Sequence, residues 1–168
     1  MLIGLCGKPQ SGKSQVRKIM MERYKYITIN TKHHLAEACG SLTGLAPELF
    51  LSQEGKSTNY KGVELRTIMG NVQDSMEAMF GDYHSIQRSL SYYNITDYIV
   101  VDSLRKTQPL HFPGLIVEVV SHRSVDTGYS FDLYIRDRID YTLDNNGTVA
   151  DLRDNLDKMF GDLGIRFD

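Results

Sequence analysis

Two glycines five residues apart, with a lysine and a hydroxyl directly after the second, are the residues of this chain best suited to chemistry: Gly7-Lys8-Pro9-Gln10-Ser11-Gly12-Lys13-Ser14. Glycine adopts backbone angles that other residues avoid, so such a stretch can curl until its N–H groups converge on one point. A phosphate group fits that point, and a helix that begins here adds the positive end of its dipole. Lys13 supplies a compact charge for the β and γ phosphates, and the Ser14 hydroxyl is a ligand for Mg²⁺. The stretch satisfies G-x-x-x-x-G-K-[ST] in full, the pattern of a P-loop. Gly7, Lys8, Pro9, Gln10, Ser11, Gly12, Lys13 and Ser14 are therefore expected to bind ATP with Mg²⁺, and the Lys13 side chain is expected to face solvent when no ligand is bound.

Such a loop works only between a strand and a helix, and the flanking sequence supplies both. Residues 2–6 are an apolar run, and Val16, Ile19 and Met20 follow the loop at helical spacing. A β-branched run at residues 26–30 predicts a second strand, followed by a helix over about residues 31–42. Residues 53–61 read as the most loop-like stretch. Between residues 62 and 80, Leu65, Ile68, Met69, Val72, Met76, Met79 and Phe80 line one face of a helix. Residues 98–101 and 115–120 are apolar enough to be strands buried on both faces. Asn145-Asn146-Gly147 signals a turn, and Thr148 with Asp151 reads as the capped start of a last helix whose buried face holds Val149, Leu152, Leu156, Met159 and Phe160. Strands alternating with helices predict an α/β doubly wound fold, a parallel sheet with helices on both faces.

Asp102 ends the strand at residues 98–101, where open α/β sheets place their ligands, and is expected to join Ser14 on the metal side. Transfer of a phosphoryl group also requires cations to neutralise two phosphorylated substrates. Arg66, Arg105, Arg123, Arg136 and Arg138 are the candidates. No guanine-reading Asn-Lys-x-Asp stretch is present, which argues against a GTPase switch, and 168 residues are too few for a large motor ATPase. A small-molecule kinase fits the length. His33-His34 does not make a metal site, because neighbouring helical residues point about 100° apart and no cysteine or carboxylate cluster joins them.

Composition narrows the remaining classes. The length suits one domain. With 19 basic and 21 acidic residues mixed along the chain, the net charge of −2 gives no basic footprint for nucleic acid. No apolar run approaches the roughly 20 residues that span a bilayer, so no membrane partner is expected. No secretory signal is expected from the first residues, and Cys6 and Cys39 read as reduced, buried thiols. A cytoplasmic location is the expectation.

Beyond the motif, the sequence resembles the phage deoxynucleoside monophosphate kinases, relatives of the wider nucleoside monophosphate kinase and dephospho-CoA kinase group. Gly7 to Ser14 matches their P-loop. Residues 35–45, with Gln53 and Glu54 after them, are similar to the helix and loop behind the family's second strand. Arg66 ahead of Phe80-Gly81 resembles the acceptor-side arginine before a Phe-Gly turn. Asp102-Ser103-Leu104-Arg105 approximates the strand-ending Asp-x-Arg, with the arginine displaced by one residue, and Asn145-Asn146-Gly147 matches the closing Asn-x-Gly. Thr31-Lys32-His33-His34 replaces an acidic, proline-bearing stretch. Met69-Gly70 stands for the usual Leu-Gln, and Ser75, Met76 and Glu77 surround the place of a second arginine.

The resemblance implies transfer of the ATP γ-phosphoryl group to a (deoxy)nucleoside monophosphate in the cytoplasm, that of the host if the chain is phage-encoded. Lys13, Arg123 and Arg136 would be catalytic, Arg66 and Arg105 would clamp the acceptor phosphate, and Ser14 and Asp102 would hold Mg²⁺. The acceptor-binding helical region would span about residues 31–95 of a single domain, and a lid-like loop about residues 121–138. A homodimer is compatible with this reading. Two other classes stay open: a nucleotide-binding regulator without turnover, and a kinase for another acceptor such as dephospho-CoA.

Overall fold

The computed structural model of the chain describes residues 1–94, 97–128 and 132–167. In chain order its elements are β1 (Leu2–Cys6), α1 (Lys13–Tyr24), β2 (Ile27–Ile29), α2 (Lys32–Thr43), α3 (Pro47–Leu51), α4 (Gln53–Lys56), β3 (Asn59–Tyr60), β4 (Val63–Glu64), α5 (Leu65–Phe80), α6 (His84–Leu90), β5 (Ile99–Val101), α7 (Gln108–His111), β6 (Leu115–Val120), β7 (Tyr141–Asp144) and α8 (Val149–Asp162). They fall into two compact units, Met1–Ile29 with Tyr92–Asp168, and Asn30–Ser91.

The first unit is built on a five-stranded parallel sheet in the order β2-β5-β1-β6-β7. Its register sorts the side chains. Ile3 pairs with Val100, Leu5 with Val117 and Val119 with Leu143, which puts all six on one face. That face meets Val16, Ile19 and Met20 of α1 and Leu152, Leu156, Met159 and Phe160 of α8 in one core. On the opposite face Gly4 lies against Leu104 and Phe112, and the short α7 sits in that same segment. The parallel sheet flanked by helices is the class the alternation predicts. It also brings the C-terminal ends of β1, β5, β6 and β7 to one edge, where residue 7, Asp102, Ser121 and Asn145 begin their loops.

Local chemistry fixes the helix that closes this core. Thr148 Oγ1 accepts from the Asp151 N–H at 3.2 Å, and the Asp151 carboxylate accepts from the Thr148 N–H at 2.7 Å. This is the capping box expected from the sequence. Val149, expected on the buried face, is exposed instead, because the first helical residue precedes the turn that reaches the sheet. Asp157 of α8 accepts from Arg23 and Tyr24 of α1, each at 2.6 Å. Leu156 is fully buried. Leu156→Ala should therefore lower unfolding free energy by about 2–5 kcal/mol, read as an earlier midpoint in urea denaturation.

In the second unit, Leu35, Ala36 and Cys39 of α2, Phe50 of α3, and Leu65 and Met69 of α5 form a separate core. Residues 53–61, expected as loop, hold α4 and the first strand of the β3–β4 hairpin. Ser52 explains part of this, since its hydroxyl accepts from the Gly55 N–H at 2.9 Å and caps α4. Met79 and Phe80 also depart from expectation. They end α5 largely exposed, with Phe80 stacked on His84 at 4.8 Å. Cys6 and Cys39 are buried free thiols. Among the described residues no helix is long and apolar enough to cross a membrane.

Candidate functional site

β1 ends at Cys6, and Gly7 turns the chain with φ of 143°. Gly12 takes φ of 96° as the N-cap of α1. Both angles are natural to glycine and strained for other residues, so the two glycines of the motif stand at the two corners of the loop. The loop wraps the ammonium of Lys13. Its Nζ donates to the carbonyls of Gly7 at 2.7 Å and Lys8 at 2.9 Å, and lies 3.5 Å from Ser11 Oγ. Lys13 is thus folded back on the loop, in contrast to the solvent-facing side chain expected from sequence. An amine with unmet donors finds carbonyls five and six residues away before it finds a ligand. Burial pulls its pKa below the usual lysine range and Arg105 adds to this, while Asp102 and Asp132 oppose it. Ser14 is exposed at the start of α1.

Asp102 follows β5, and its N–H donates to the Ile29 carbonyl at 3.1 Å. Its carboxylate accepts from Ser103 Oγ at 2.7 Å and lies 3.5 Å from Arg17. Arg17 was not singled out from sequence, although its position four residues after Lys13 places both on one face of α1. Arg105 ion-pairs with Asp132 at 3.4 Å, and Thr127 Oγ1 donates to the same carboxylate at 2.7 Å. Nothing in the local sequence singled out Asp132.

Residues 121–138, expected as a lid-like loop, touch the loop of residues 7–12 in their described part; residues 129–131 lie outside the described residues. The Val125 N–H donates to the Pro9 carbonyl at 3.0 Å, and Lys8 lies 3.6 Å from Asp126. That ion pair is exposed and contributes little. Arg123 donates to the Asn145 carbonyl at 2.7 Å. Arg136 donates to Glu118 at 2.7 Å, and Tyr134 donates to the same carboxylate at 2.7 Å. Glu118 is buried in the middle of β6 beside Cys6, whose thiol is pushed up to about 12 by burial first and by Glu118 second. A carboxylate inside an apolar strand needs such partners. The lone Glu in Leu-Ile-Val-Glu-Val-Val was the available signal. Arg138, grouped with the candidate arginines, donates to the Phe112 and Pro109 carbonyls and so braces the end of α7.

Arg66 belongs to the other unit, half-buried on the first turn of α5. Among the described residues no group of three or more His, Cys, Asp or Glu could hold a metal ion by itself. Ser14 and Asp102 offer one hydroxyl and one carboxylate, the hard oxygen donors Mg²⁺ takes when phosphate oxygens and water complete its shell.

No protein-family model matches the sequence, and no curated protein does. Among solved structures, the chain is similar to TT1252 from Thermus thermophilus, with 18% identity, 97% of each chain covered and a TM-score of 0.56. It is also similar to a dephospho-CoA kinase from Campylobacter jejuni, with 14% identity, 96% of each chain and a TM-score of 0.48. A shikimate kinase from Aquifex aeolicus gives 15% identity over 97% of this chain and 98% of that one, with a TM-score of 0.46. At these identities the first likeness shows the fold alone, and the other two carry no argument about function.

Proposed function

We propose that this chain transfers the γ-phosphoryl group of ATP to a (deoxy)nucleoside monophosphate, releasing ADP and a (deoxy)nucleoside diphosphate. The observation that carries the reading is the loop from Gly7 to Ser14, curled at two positive-φ glycines around the Lys13 ammonium at the head of α1. It is shaped for a polyphosphate, whose oxygens would take over the bonds Lys13 now makes to the Gly7 and Lys8 carbonyls. Ser14 and Asp102 would hold Mg²⁺, which when bound screens the charge of the phosphate oxygens. The acceptor phosphate is itself a nucleophile, so the protein's share of the work is alignment and charge.

Arg123 and Arg136 are the arginines proposed to close over the transferring group. The side chain of Arg136 is 68% exposed beyond its bond to Glu118, which leaves it room to swing while its neighbour Tyr134 stays anchored. Arg105 and Arg66 are proposed for the acceptor phosphate, with about residues 31–95 as the acceptor-binding region. The nucleoside monophosphate acceptor, deoxynucleotide supply in a phage-infected cytoplasm and a homodimeric assembly rest on the sequence resemblance. One observation favours a second reading, a nucleotide-binding regulator: Ser75, Met76 and Glu77 occupy the part of α5 where similar kinases carry a second arginine.

A coupled ADP-release assay with ATP, Mg²⁺ and a panel of dGMP, dTMP, dCMP, dAMP and their ribose forms separates the two. The kinase reading expects release well above background with one or a few of the panel. ATP binding without release on any of them would favour the regulator, and dephospho-CoA added to the panel tests the other acceptor.

A further inference from the structure

Asn145 stands one residue beyond β7, in the stretch read from sequence as a turn and as the match to the closing Asn-x-Gly of similar kinases. Its side chain is buried, with 6% of the residue exposed. The carboxamide Nδ2 donates to the Ser11 carbonyl at 2.9 Å, across 134 residues of sequence. Its backbone N–H donates to the Val120 carbonyl at 2.9 Å, and its own carbonyl accepts from Arg123. The phosphate loop, the end of β6 and the start of the 121–138 segment therefore meet at one residue. The approach is close enough that an ideal Cβ built on Gly12 would overlap Asn145 Nδ2.

In a trans peptide the carbonyl and the following N–H point in opposite directions. A bond that holds the Ser11 carbonyl toward Asn145 thus turns the Gly12 N–H to the other side. We infer that Asn145 is a positioning residue, which orients the Ser11–Gly12 peptide so that its N–H is presented to a bound phosphate, and which sets Arg123 at the same time. The assignment rests on the reading of residues 7–14 as a phosphate loop. Unlike Lys13, Asn145 touches no phosphate in this scheme and acts only through the backbone it holds.

The test uses the full chain with Asn145→Ala, and with Asn145→Leu as a second variant that keeps bulk without a donor. Leu156→Ala is the control, since it weakens the same unit from the core. Two readouts are taken at a temperature where all are folded. Without ligand, the Ser11 ¹³C′ resonance should move in both Asn145 variants and stay in place in Leu156→Ala. In calorimetric titration with MgADP, affinity should fall by about tenfold or more in the Asn145 variants and remain near wild type in the control. An unmoved Ser11 resonance, or MgADP affinity within twofold of wild type in both Asn145 variants, overturns the assignment. A moved resonance in a chain whose wild type binds no MgADP overturns the phosphate-loop reading instead, and with it the purpose given to Asn145.

Discussion

Lys13→Ala is expected to lower phosphoryl transfer by about a hundred- to a thousandfold or more, with the fold intact. The loop itself wraps the lysine ammonium, which donates to two backbone carbonyls and lies beside the Ser11 hydroxyl. The stability lost with three such bonds is partly returned by removing a charge whose pKa burial already depresses. A net change within about 1 kcal/mol follows. The check is paired: thermal unfolding of the variant close to wild type, and turnover measured in the same preparation. Turnover retained within a few-fold would remove Lys13 from the chemistry.

The second large effect is on the loop's shape. Gly12→Ala should destabilise the chain by about 2–5 kcal/mol and abolish measurable nucleotide binding. Two causes act together. A φ of 96° is strained for alanine, and the added methyl would overlap the Asn145 carboxamide that holds Ser11. Either the α1 N-terminus shifts or Asn145 is expelled from a buried position, and each outcome moves the backbone proposed to face the phosphates. Gly161→Ala in α8 is the matched control, because nothing lies within 4 Å of the position a methyl would take. There the substitution should be neutral or stabilise by about 0.5–1 kcal/mol, as alanine does in a helix. Urea denaturation of both variants, with ATP titration of each, measures the contrast. Equal stabilities would mean that the corner at Gly12 is looser than its geometry.

How far the sequence led is clearest at particular residues. β6 at Leu115–Val120 is the stretch expected, because a strand buried on both faces is a nearly continuous apolar run, here broken by Glu118 alone. The Thr148–Asp151 cap was legible because capping chemistry is local. The β7 strand at Tyr141–Asp144 was not, since Tyr-Thr-Leu-Asp is a short edge strand with one buried residue and no strong pattern. Only pairing with β6 makes it a strand. The P-loop was legible for the same reason as the cap, with its chemistry held in eight consecutive residues.

The partners of the loop were not. Asn145 looks like turn composition until the sheet order brings the end of β7 beside Ser11. Asp132 is one acid among many until the fold sets it against Arg105. Asp102 was placed from its strand end alone, but its engagement with Arg17 depends on how α1 crosses the sheet. Motif chemistry is written in neighbouring residues, whereas the groups that hold it in place are distributed by topology.

Loss of ATP alone does not establish transfer to an acceptor. The most direct measurement is ³¹P NMR of the protein with ATP, Mg²⁺ and the nucleoside monophosphate that gives the highest ADP release. The acceptor's monophosphate resonance is expected to decline as two diphosphate sets grow in equal amounts, one from ADP and one from the phosphorylated acceptor. ATP that stays intact, or that yields only ADP and inorganic phosphate while the acceptor resonance is unchanged, would contradict it.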